Sequence, residues 1–193
     1  MQFIPLLGML VQIAYSILYP ILAGGILVAC DAQAHGEPLE ARHFLAGFRE
    51  HAKPLALVGL LNIGCMLVAA LIAGVVTGVL FGVLGKGMHS NESIIMGAVV
   101  FFLLFMTFAV PVIMAIWFAP SLVVFQNMGP WQAMKESFRG CARNVVPFLL
   151  YGIILTILGV LAMIPIGLGL LVLLPIVMIS VYWSYRDIFL REA

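Results

Sequence analysis

The stretch that decides the fold is Asn144–Tyr185, NVVPFLLYGIILTILGVLAMIPIGLGLLVLLPIVMISVYWSY, 42 residues without one charged side chain. A helix crosses the hydrocarbon of a bilayer with about 20 residues, so this run is too long for one ordinary span. Pro165, Gly167 and Gly169 lie near its middle. Proline removes a helical donor and glycine suits a tight turn, so the run divides into two spans joined by a short turn.

Working outward, charge occurs only in islands. Phe3–Cys30, Pro54–Gly85 and Ile94–Met134 also carry none of Asp, Glu, Lys or Arg. Over all 193 residues, 64% are hydrophobic and 9% charged, where a soluble domain has about 45–50% and 25%. A chain of this size has no core large enough to hide that much apolar surface from water. The runs do not alternate polar and apolar, which excludes spanning strands. Backbone groups in lipid must be paired internally, so the spans are helical. The sequence predicts an all-α integral membrane protein with five transmembrane helices, at about 4–28, 55–84, 95–119, 146–163 and 168–185.

Orientation follows from the basic residues. With five crossings, one side holds Arg42, Arg49, Lys53, Lys135, Arg139, Arg143, Arg186 and Arg191, and the other holds only Lys86. Eight cations against one puts the first side, with the C-terminus, in the cytoplasm. Tyr182, Trp183 and Tyr185 are expected in an aromatic belt at that boundary, with Trp117 in the same role for the third span. A net charge of +1 gives no footprint for nucleic acid.

The two cytoplasmic loops repeat a pattern. Phe48-Arg49-Glu50-His51-Ala52-Lys53 and Phe138-Arg139-Gly140-Cys141-Ala142-Arg143 share Phe-Arg-x-x-Ala-basic, ninety positions apart. Each loop reads as a short amphipathic helix. Leu39, Phe44, Leu45 and Phe48 form one apolar face, and Trp131, Met134, Phe138 and Cys141 the other. Such helices lie in the membrane interface with their cations toward anionic head groups. The repeated unit is an interfacial helix followed by a transmembrane hairpin, and its copies run parallel.

Trp117-Phe118-Ala119-Pro120-Ser121-Leu122-Val123-Val124, Ser137-Phe138 with Asn144 and Pro147-Phe148, and Tyr182 with Tyr185-Arg186-Asp187-Ile188-Phe189 carry a resemblance. So do Gly36-Glu37-Pro38-Leu39 and Phe44-Leu45-Ala46-Gly47-Phe48-Arg49. The chain resembles uncharacterised bacterial inner-membrane proteins related to the membrane domain fused to some glycerophosphodiester phosphodiesterases. The resemblance implies a bacterial inner membrane and six spans, one preceding the first span here. The natural chain is then expected to start earlier. Residues 1–30 become the remnant of a first hairpin, 31–125 an interfacial helix plus hairpin, and 126–193 a second such unit with a cytoplasmic tail.

Chemistry-bearing residues are few. The span cores contain no ionisable group, and Asn62 reads as packing glue between helices. Glu40-Ala41-Arg42-His43 has a di-metal spacing without the second copy such a site needs. No catalytic, cofactor or metal residues are assigned. Ala70, Gly74, Gly78 and Gly82 recur every four residues and are expected to pack against a helix of the same chain. Arg49 and Arg139 are expected to make the cytoplasmic-face contact. Function is read as non-catalytic packing against membrane lipid or a protein partner in the inner membrane. The alternative is a transporter or lipid-handling protein for an uncharged or lipid-like substrate.

Overall fold

A computed structural model of the chain describes residues 3–84, 91–164 and 167–190, without the side chains of 3–7, 9, 84 and 91–93. Lys86, Pro165 and Arg191, on which parts of the sequence reading rest, lie outside the described residues. The elements are α1 (Phe3–Ala34), α2 (Ala41–Arg49), α3 (Ala52–Leu84), α4 (Asn91–Trp117), α5 (Ala119–Gln126), α6 (Pro130–Arg143), α7 (Val145–Met163) and α8 (Leu170–Phe189). Among the described residues there is no strand. Five helical segments are long and apolar enough to cross a membrane: Leu10–Ala34, Ala52–Val83, Ile94–Gln126, Val145–Met163 and Leu170–Phe189.

Two boundaries differ from the hydropathy reading. At 32 residues α1 is about 48 Å long and carries Asp31 within the helix rather than in the loop after it. The third span continues past residue 119 as α5, set off from α4 by a break at Phe118. α5 ends where Asn127 takes a left-handed conformation (φ 50°), which asparagine tolerates, and Pro130 then opens α6.

The core lies at the end of the bundle that gathers α2, α5, α6 and the basic side chains from Arg42 to Arg186, here called the basic end. Ile21, Leu55, Val58, Phe118, Leu122, Val123, Met134 and Tyr185 are packed together there. Every residue of α5 from Ala119 to Val124 is buried. Away from this end, α3, α4, α7 and α8 present long rows of exposed Leu, Ile, Val and Phe. In hydrocarbon such exposure has no cost, because lipid tails are as apolar as the side chains.

Close approach of backbones is achieved by glycine. A Cβ on Gly25 would collide with the Phe44 carbonyl, and one on Gly47 with the Ile21 carbonyl. This contact seats α2 against the last turns of α1. Gly59 does the same for α3, facing the backbone of Ser16 and Ile17.

The stripe expected to pack, Ala70–Gly74–Gly78–Gly82, does not. A Cβ on Gly74 would meet only the Phe101 ring, 3.9 Å away, and on Gly78 or Gly82 nothing within 4 Å among the described residues. In the adjacent register of α3 Ala69 and Ala73 are buried, as is Ala109 on α4. These small residues of α3 also stand four apart, on a face rotated by one residue, about 100° around the helix. The aromatic belt is also revised. Tyr182 and Tyr185 are each only 1% exposed and belong to the core, while Trp183 is exposed. α7 is peripheral, and its one buried residue, Ala162, lies against Gly169.

These contacts predict opposite outcomes for similar substitutions. Gly47→Leu should abolish folding or lower the melting temperature steeply, since overpacking against backbone costs about 1–3 kcal/mol or more. Gly78→Leu should leave it nearly unchanged. Thermal melts of both variants in one detergent measure the difference.

Candidate functional site: a clasped helix break beside apolar grooves

The break begins with Pro120. Within a continuous helix its ring would clash with the Ile116 carbonyl and remove a backbone donor, so the chain breaks two residues earlier and Pro120 falls in the first turn of α5. The broken turn leaves the Met114 carbonyl and the Phe118 N–H without each other. Ser137 of α6 bridges them. Phe118 N–H donates to Ser137 Oγ at 2.9 Å, and Ser137 Oγ donates to the Met114 carbonyl at 2.8 Å. Cys141, one turn further along α6, adds its thiol to the same carbonyl at 3.4 Å. Ser137 is wholly buried and Cys141 nearly so. Burial pushes the Cys141 thiol up to about 11, so it is an inert group at neutral pH.

Aromatic rings close around the break. Phe118 meets Phe148 and Phe189 edge-on, each at 5.6 Å between centroids. Trp117 meets Phe148 and Tyr151 edge-on at 6.4 and 6.2 Å, tying α7 to the third span. Phe125 stacks on Tyr185, whose hydroxyl accepts from Gln126 Nε2 at 3.1 Å. Tyr182 donates its hydroxyl to Asp31 Oδ1 at 2.6 Å, and Arg186 reaches the Tyr182 oxygen at 3.3 Å while lying over the Trp183 ring. Asp31 thus joins α1 to α8, a partner that sequence spacing did not reveal.

Grooves open from this core toward the lipid. One, between α3 and α4, has a volume of about 430 Å³ and is lined by Leu61, Gly64, Cys65, Val68, Ile72 and Phe108 among others. A second, of about 500 Å³, lies between α1, α2 and α8, with Ile26, Cys30, Phe44, Leu174, Pro175 and Met178 in its walls. Both are almost wholly apolar. They can take up hydrocarbon and offer no path for an ion or a polar solute.

The predicted contact residues sit apart from the grooves. Arg49 is exposed at the end of α2. Arg139 is exposed on α6 and paired with Glu136. α2 and α6 each bury one face: His43, Ala46 and Gly47 in the first, and Ala133, Met134, Ser137, Gly140 and Cys141 in the second. In α2 the large apolar residues Phe44, Leu45 and Phe48 point outward. Thr107, Thr156 and Ser180 back-bond to their own helices, at 2.8, 2.7 and 2.7 Å. Asn62 Oδ1, Thr77 Oγ1 and Ser121 Oγ are buried without a hydrogen-bond partner among the described residues.

Residues 4–186 match the domain of unknown function DUF7847. The chain belongs to that family. No curated protein and no solved structure matches it. For this DUF7847 protein, Ser137 and Gly47 are the positions sequence reading missed. Their signal was present: each stands just before Phe-Arg in the repeated loop motif.

Removing the clasp should be costly. Ser137→Ala leaves the buried Phe118 N–H unpaired and the Met114 carbonyl with only the weak Cys141 thiol donor, for a loss of about 1–3 kcal/mol, readable as a lower melting temperature in detergent. Because Cys141 is buried, its alkylation in the folded protein should be slow at pH 7 and accelerate as pH rises toward 11, where the thiolate forms. An exposed cysteine at Ala142 on a Cys141→Ala background should react readily at pH 7.

Proposed function

We propose that this protein works without catalysis, as a multi-pass inner-membrane protein of a bacterium that packs membrane lipid, or a protein partner presented by the membrane, against its open face. The observation that carries this reading is the lining of the two grooves. They are apolar, face the bilayer and lie beside a core closed by polar and aromatic contacts. Acyl chains match them in chemistry.

The bias of Lys and Arg supports reading the C-terminus and the two short helices as cytoplasmic. α2 and α6 are read as interfacial helices heading two parallel hairpin repeats. Support comes from where Gly47 and Ser137 sit. Each seats its helix on two residues four apart in the preceding span, Ile21 with Gly25 and Met114 with Phe118. Kinship with the membrane domain of glycerophosphodiester phosphodiesterases is part of the same proposal, carried by the motifs around Trp117-Phe118-Ala119-Pro120 and Tyr185-Arg186-Asp187. The discontinuous α4–α5 span favours a second reading, a transporter or lipid-handling protein for an uncharged or lipid-like substrate.

Phospholipid should remain bound in near-stoichiometric amount through gentle extraction and size exclusion, as read by native mass spectrometry. Recovery of a folded, lipid-free protein contradicts the proposal. Arg49 and Arg139 are proposed to meet anionic lipid. At about 1 kcal/mol per cation, Arg49→Glu with Arg139→Glu should weaken association with anionic vesicles measurably while the bundle stays folded. Thiol labelling of the Ala142→Cys variant from the cytoplasmic side alone checks the orientation.

A further inference from the structure

The groove between α3 and α4 continues beside α6. Cys65 and Val112 line both that groove and a second hollow of about 230 Å³, whose walls also include Pro111 of α4 and Trp131, Lys135 and Phe138 of α6. The two hollows therefore join into one trench that runs along α3 and α4 and reaches α6 at the basic end. We propose that this trench seats one acyl chain of a phospholipid of net negative charge, with the Lys135 ammonium meeting its phosphate. The proposal rests on the lipid-packing reading above and adds the place, the charge class of the lipid and the residue that selects it.

The trench fits a lipid tail. Its α3 wall rises about 18 Å from Leu60 to Ile72, against about 15 Å for the hydrocarbon of one leaflet. Its lining is almost wholly apolar. Gly64 contributes no side chain, and a Cβ there would meet nothing within 4 Å among the described residues, so the space over it is open. Leu60 and Val68 are each more than half exposed. The trench is thus open along its side, and the second chain of a phospholipid can lie outside it in the bilayer.

The end of the trench fits an anionic head group. Trp131, Lys135 and Phe138 share one face of α6 at helical spacing. The Ser137 clasp holds α6 to α4, which fixes that face relative to the trench. Trp131 is 65% exposed, and tryptophan favours the level of the head groups. With so apolar a lining, Lys135 gives its methylene stem to the wall and its ammonium to the rim. Arg139, one turn further along, is paired with Glu136. Lys135 is exposed and has no ion pair among the described residues. Its charge is complementary to a lipid phosphate, and a zwitterionic head group, which carries its own cation, gains less from it.

The test is native mass spectrometry of the full chain in detergent, titrated with lipids of identical acyl chains. Phosphatidylglycerol should bind about fivefold more tightly than phosphatidylcholine, the worth of one cation near an anionic surface. Lys135→Gln should remove that preference and Lys135→Arg should keep it, both with an unchanged melting temperature. Arg49 and Arg139 are intact in these variants, so the loss belongs to Lys135. Gly64→Leu has room for its Cβ and should leave the folded protein with one fewer tightly bound phosphatidylglycerol. If that variant does not fold, the Lys135 variants decide alone. Equal binding of the two lipids, or a preference that survives Lys135→Gln, overturns the head-group proposal and leaves lipid packing standing, whereas no retained lipid of any kind overturns both. Undiminished retention by folded Gly64→Leu overturns the seat in the trench. Displacement of phosphatidylglycerol by an equal concentration of the free fatty acid would assign the trench to a single-chain carboxylate and overturn the phospholipid assignment. A dimer that Gly64→Leu dissociates would assign it to a second copy of the chain and overturn the proposal.

Discussion

The structure depends on one serine. Pro120 breaks the third span, and Ser137 repairs the break by accepting from Phe118 N–H and donating to the Met114 carbonyl. In hydrocarbon an unpaired backbone group costs several kcal/mol, so a broken span persists only where protein supplies the missing partners. The clasp lets α5 leave the line of α4 and enter the centre of the basic end. Around it the other helices arrange their contacts: Leu55 and Val58 from α3, Ile21 from α1, Met134 and Cys141 from α6, and Tyr185 from α8.

A core held at one end has a consequence for the other. Helices that converge on α5 are not required to stay in contact along their whole length, and the apolar rows of α3, α4 and α7 turn to the lipid. Both grooves are lined almost wholly by apolar side chains.

Much of the fold was legible in the sequence. Charge-free runs and the proline and glycines near 165–169 were sufficient to count the spans. Which face of each span packs was not legible. In a soluble helix a buried face is apolar and an outer face polar, but in a bilayer both are apolar. Regular spacing therefore pointed to Gly74 and Gly78, although Ala69 and Ala73, in the register one residue back, are the buried pair. Asp31 was assigned to a loop because a carboxylate ends a hydropathy run. Its bond to Tyr182 comes from 151 residues away, and no local pattern encodes it. Of the candidate site, Arg49 and Arg139 are exposed on α2 and α6, while the clasp and the clefts arise only when α4, α6, α7 and α8 meet.

The central claim is that α5, eight residues long, is held by its clasp and its burial rather than by its own helical tendency. Isolated helices of that length are marginal in water. Residue-resolved hydrogen exchange of the protein in lipid nanodiscs tests this most directly. The amides of Leu122, Val123 and Val124 should exchange as slowly as those of the long spans, and the Phe118 amide should remain protected despite the break before α5. Exchange of this segment at the rate of the exposed turn from Gly36 to Leu39 would contradict the account.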